Sequence, residues 1–143
     1  MNLKTAHILL VEDNEGDIFL TLEAFEECKV KTEISIVKNG QEALDFLYQK
    51  KEFVDVKRPD LILLDINIPK LNGHQVLQKI KSDPDLKKIP VIILTTSSNQ
   101  KDIDTAYENH TNSYIKKPLE IGDFLNVIKK IEDFWFQITT LSS

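Results

Sequence analysis

Cysteine is nearly missing from this sequence. Cys28 is the only one in 143 residues, which excludes an intramolecular disulfide and fits a reducing, cytoplasmic setting. Near the end of a predicted helix, its thiol reads as a small buried hydrophobe or, alternatively, as a reactive group. Long apolar runs are missing too. None approaches the roughly 20 residues that a membrane span requires, and the N-terminus has no signal-peptide pattern. An excess of basic charge is also absent, because 18 Lys and Arg stand against 23 Asp and Glu, for a net charge of −5. Non-specific nucleic-acid binding needs a basic face and is therefore not expected. No repeat, low-complexity tract or linker interrupts the chain, and its length suits one domain over residues 1–143.

What the chain does have is a set of short apolar runs, each ending on polar residues. Ile8-Leu9-Leu10-Val11 stops at Glu12-Asp13, Leu61-Ile62-Leu63-Leu64 at Asp65, and Val91-Ile92-Ile93-Leu94 at Thr95. Segments of helical period alternate with these runs, as they do in βαβ units on a parallel sheet. Strands are predicted near 7–12, 33–37, 60–65, 90–95 and 113–116. Helices are predicted near 16–28, 40–51, 73–82, 99–110 and 120–138. The first, third and fourth strands are apolar on both faces, as central parallel strands must be. Glu33-Ile34-Ser35-Ile36 alternates instead, which places the second strand at an edge. The predicted fold is α/β, a doubly wound five-stranded parallel sheet of order 2-1-3-4-5. Pro59 cannot sit inside the third strand, and Pro84 disfavours helical geometry at Asp83, closing the third helix.

That order gathers the ends of strands one, three and four at the edge where such sheets bind ligands. Glu12, Asp13 and Asp65 would repel one another there unless a divalent cation sat among them. Mg²⁺ takes oxygen ligands and keeps several waters. Asp13 and Asp65 are candidate direct ligands, with Glu12 direct or acting through water. The alternative for each acid is to cap the helix or turn after its strand. Asn67 offers a backbone carbonyl to the metal, or merely shares the loop chemistry of Pro69 and Gly73. Thr95 can donate its hydroxyl to a phosphoryl oxygen on Asp65, whereas Ser97 or Ser98 suits the cap of the fourth helix. Lys117, before Pro118 at the end of strand five, can reach inward as a compact cation. Lys116 points to the other side by period-two alternation. His7, His74 and His110 are scattered and suggest no phosphorelay.

As a set, Glu12-Asp13, Asp65, Thr95 and Lys117-Pro118 resemble the receiver domains of two-component response regulators in order, spacing and strand-end context. The resemblance spans residues 6–132 and implies a flavodoxin-like, CheY-like fold. It implies that Asp65 accepts a phosphoryl group from a sensor histidine kinase. It implies that Asp13, with Glu12 and the Asn67 carbonyl, holds Mg²⁺. Thr95 and Lys117 would contact the phosphoryl group, the Lys117–Pro118 bond would be cis, and Tyr114 would be the family's rotating aromatic switch. Such a protein signals, and catalyses at most its own phosphorylation and dephosphorylation. The runs 84–90, 94–98 and 131–135 resemble single-domain regulators of the cyanobacterial phytochrome type, which implies a phytochrome-type kinase as partner. Thr96 departs from the alanine or glycine often found there and would restrict access to Asp65. With no effector domain expected in this length, output would come from binding another protein, through a face expected on the fourth helix, fifth strand and fifth helix, with Asp102, Tyr107, Tyr114 and residues 120–136.

The last helix supports a further expectation. At about 1.5 Å per residue it would run roughly 28 Å, past a strand of about 17–20 Å. Ile121, Leu125, Ile128, Ile131 and Trp135 form a core stripe. Phe134 and Phe136 lie off it, in an extension over residues 134–143. Phe134, Trp135 and Phe136 are therefore a candidate homodimer face, the alternative being a tail folded over its own domain. Two rival enzymes or carriers fit poorly. A Mg²⁺-dependent phosphatase of the haloacid dehalogenase type needs a second acid as proton donor, and Asp65-Ile66-Asn67 offers none. A flavin carrier needs a glycine- and hydroxyl-rich phosphate loop, which Glu12-Asp13-Asn14-Glu15 would repel. A receiver-like binding module that is never phosphorylated is the remaining alternative.

Overall fold

The computed structural model describes residues 5–26, 31–95, 104, 113–116 and 133, with the backbone alone for 94, 95 and 113–116. Five parallel strands form one sheet: β1 (Ala6–Val11), β2 (Thr32–Val37), β3 (Leu61–Leu64), β4 (Val91–Thr95) and β5 (Ser113–Lys116). Their order is β2-β1-β3-β4-β5, as the apolar pattern predicts. Three helices are described: α1 (Glu15–Glu26), α2 (Gly40–Leu47) and α3 (Gly73–Ser82). Asp104 and Asp133 are helical and exposed. The other residues of the predicted fourth and fifth helices lie outside the described residues. So do Cys28, Thr96, Ser97, Ser98, Lys117, Pro118 and the Phe134-Trp135-Phe136 segment.

Strand alternation sorts the core into two layers. Leu9, Val11, Ile62, Leu64 and Ile93 face α2 and α3, packing with Leu44, Phe46, Val76 and Leu77. Ile8, Leu10, Leu61, Leu63 and Ile92 face the other way, with Ile18, Ala24 and Phe25 of α1. Each buried Leu or Ile stabilises the fold by roughly 1.5–3 kcal/mol. β2 has only one buried residue, Val37, and several half-buried or exposed ones, consistent with its place at the edge.

Asparagines start two helices. The Asn39 side chain accepts from the Glu42 backbone N–H. Asn72 and Gln75 exchange side-chain and backbone bonds in a capping box. Asp83 ends α3 in extended geometry, as the following proline demands.

α2 corrects one expectation. It stops at Leu47 rather than running to 51. Gln49 takes a left-handed φ of 57°, and its N–H bonds to Phe46 while the Lys50 N–H bonds back to Asp45. These are the two bonds of a Schellman stop. Glycine usually fills that left-handed position, so a glutamine there gives no signal in the sequence. A 3-10 turn over Lys51–Phe53 follows.

Candidate metal and phosphoryl site

Register assembles the site. Val11 pairs with Leu64, so the next residues, Glu12 and Asp65, leave neighbouring strand ends side by side. Backbone bonds fix both: Glu12 N–H to the Val37 carbonyl at 3.0 Å, and Asp65 N–H to the Val11 carbonyl at 3.1 Å. Leu64 in turn pairs with Ile93, and Thr95 with Lys116. The backbone of Thr95 therefore ends its strand at the same edge, with β5 alongside.

Glu12, Asp13 and Asp65 converge, one oxygen of each lying within 4.8 Å of the others. Glu12 is 1% exposed and Asp65 7%, while Asp13 opens to solvent. Two desolvated carboxylates beside a third are costly without a counter-charge. This all-oxygen donor set, open on one side, suits a hard divalent cation that keeps part of its water. It is poorly matched to soft metals, which favour thiolate or imidazole.

Hydrogen bonds orient the acids. Glu12 Oε2 accepts the Asp13 N–H at 3.1 Å. Asp65 Oδ1 accepts the Asn67 N–H at 3.1 Å, a turn that holds the loop back against the strand end. Helix capping is not the task of Asp13, because Asn14 Oδ1 accepts the Asp17 N–H at 2.9 Å. Behind Asp65, Gly73 begins α3 so closely that a Cβ there would lie 2.5 Å from the Asp65 carbonyl oxygen and 2.6 Å from Ile66 Cα.

Sequence reasoning missed one neighbour, Asp17 in the first turn of α1. Burial first, then the charges of Asp65 and Asp13, push its carboxyl above the usual 3.8. No local signal gave this, because Asp13 precedes α1 and only the fold brings Asp17 into its field and that of Asp65. A carboxyl whose folded pKa exceeds its unfolded value binds protons more readily when folded. It therefore costs stability as pH rises through that window, and the cost persists above it. Asp17→Asn should accordingly raise the urea midpoint of metal-free protein at pH 7 and leave it unchanged below pH 3.8. A shift of the same size at both pH values would contradict this.

The described residues place an open groove of about 590 Å³ elsewhere, lined by His7, Ser35, Asp55, Arg58 and Asp60 among others. It lies at the opposite end of the strands and shares no residue with the acidic cluster. No described helix is long and apolar enough to cross a membrane.

Comparison with known proteins agrees with this geometry. The family model of the response regulator receiver domain matches residues 8–129. Response regulator Rcp1 of Synechocystis is 43% identical over 134 residues, covering 94% of this chain and 91% of its own length. The phosphorylated cyanobacterial phytochrome response regulator RcpA superimposes with a TM-score of 0.88 at 46% identity, over 93% of this chain and 95% of that one. The Mn²⁺-bound form of Rcp1 does so with a TM-score of 0.85 at 43% identity, over 91% and 94%. With its acids at the ends of β1 and β3 of a 2-1-3-4-5 sheet, this chain belongs to the response regulator receiver family.

Proposed function

We propose that the chain is a phosphorylation-driven signalling switch in which Asp65 accepts a phosphoryl group from a sensor histidine kinase. The convergence of Glu12, Asp13 and Asp65 at one strand edge carries this reading. Asp13 and Asp65, with Glu12 and the Asn67 backbone carbonyl, would hold Mg²⁺. When bound, the cation supplies positive potential to the oxygens of the group in transfer.

The rest falls to the protein. An Asp65 oxygen forms the new P–O bond as the P–N bond to the donor imidazole breaks, and the imidazole keeps the electron pair. A carboxylate nucleophile needs no general base for this. The Asn67 N–H holds the Asp65 carboxylate in one orientation. Thr95 and Lys117 take up the phosphoryl oxygens, and movement of Thr95 toward them frees space for the Tyr114 ring. Two packings separated by a few kcal/mol make such a switch. The altered face, around β5 and Tyr114, then binds a downstream protein in the cytoplasm. A homodimer through Phe134, Trp135 and Phe136 belongs to the same reading. The chemistry is confined to the chain's own aspartyl phosphate, so the protein is not an enzyme acting on a separate substrate.

The likeness to phytochrome response regulators supports a phytochrome-type kinase as donor. Phosphotransfer from a panel of purified histidine kinases tests the proposal. Transfer to wild type from a phytochrome-type kinase, and none to Asp65→Asn, is the expected result. Equal labelling of both proteins, or none of either from any kinase, would refute it.

A further inference from the structure

We infer that Gly40, outside the acidic cluster and on a different helix, is a positioning residue for the phosphoacceptor loop. This deepens the receiver reading and rests on it.

The loop between β3 and α3 carries Asp65 at its start and Asn67 shortly after. Its far part, Pro69 to Leu71, turns back through Lys70, whose φ is 67°. There it seats on the first residue of α2. The Gly40 N–H donates to the Pro69 carbonyl at 3.2 Å. The Leu71 carbonyl oxygen occupies the space a Cβ on Gly40 would fill, and that Cβ would also lie 2.7 Å from the Leu71 carbonyl carbon. These are backbone atoms, so no side-chain rotation relieves the overlap.

The start of the same loop is gripped in the same manner. Gly73 abuts the Asp65 carbonyl oxygen and donates its N–H to the Ile66 carbonyl at 2.9 Å. Two glycines on two helices thus clamp one loop of eight residues, Asp65 to Asn72. The clamp at Gly73 touches Asp65 itself. The clamp at Gly40 acts through the loop, by fixing where Pro69 and Leu71 stand and hence the path back to Asn67. α2 also carries the Asn39 cap, which fixes the helix start against which the loop rests. The seat is thereby set before any ligand arrives, which is the arrangement a preorganised site requires.

The test measures Mg²⁺ affinity by calorimetry and acetyl phosphate labelling rate by intact mass, on the full chain. Wild type is compared with Gly40→Ala and with Lys70→Pro, which forces φ to about −65° at the turn. Leu86→Ala, buried in the 3-10 turn beyond α3, controls for lost stability alone. The expected result is a Kd for Mg²⁺ weakened about tenfold in both loop variants, the scale of outer-shell effects on metal sites. Labelling should slow by a similar factor, while folded Leu86→Ala keeps the wild-type Kd. If Gly40→Ala does not fold, Lys70→Pro decides by the same criterion. Wild-type Kd and labelling rate in the folded loop variants would overturn the inference and leave the receiver reading standing. A wild type that neither binds Mg²⁺ nor takes label would sink both.

Discussion

An Asp13→Asn variant should be more stable than wild type in EDTA and less stable in saturating Mg²⁺. Without a cation, three carboxylates share an edge where two of them are almost wholly buried, and removing one charge relieves their repulsion. With the cation present the balance reverses. At a Mg²⁺ concentration a hundredfold above Kd, wild type gains about 2.7 kcal/mol from linkage. If loss of the Asp13 ligand weakens binding about a hundredfold, the variant gains only about 0.4 kcal/mol at that concentration. The net reversal of roughly 2 kcal/mol is readable as crossing thermal melts with and without metal. Melts that keep one order in both buffers would mean that Asp13 is not a ligand.

Gly73→Ala carries the second large effect. Alanine ordinarily favours a helix over glycine by up to about 1 kcal/mol, and less at the first position. Here that gain is outweighed. The added methyl would meet the main chain of Asp65 and Ile66 at 2.5–2.6 Å, and overpacking against backbone costs about 3 kcal/mol. Unlike a core substitution of equal cost, this one displaces the nucleophile. A shift near 1 Å slows a positioned reaction by about a hundredfold. Chemical denaturation and acetyl phosphate labelling, run together, should show both losses. Lost stability with a normal labelling rate in the folded fraction would contradict the role assigned to Gly73.

Much of this is legible in the sequence alone. The runs 8–11, 61–64 and 91–94 are apolar on both faces because helices cover both sides of the sheet. The alternation of β2 reports its edge position for the same reason. Once the order is known, the strand ends must bring Glu12, Asp13 and Asp65 together. Three features were not legible, each for a physical reason. Gln49 stops α2 in a conformation that glycine normally supplies, so its side chain carries no warning. Asp17 enters the field of Asp13 and Asp65 only because α1 starts close to the strand end, three residues after β1. The demand for glycine at 40 and 73 is set by backbone from other parts of the chain, and locally both residues look like ordinary loop glycines.

Intact-mass spectrometry after incubation with acetyl phosphate tests the central claim most directly. Wild type in Mg²⁺ should gain the mass of one phosphoryl group. EDTA should abolish the gain, and Asp65→Asn should never show it. An adduct that forms equally without metal, or that survives in Asp65→Asn, would contradict the account.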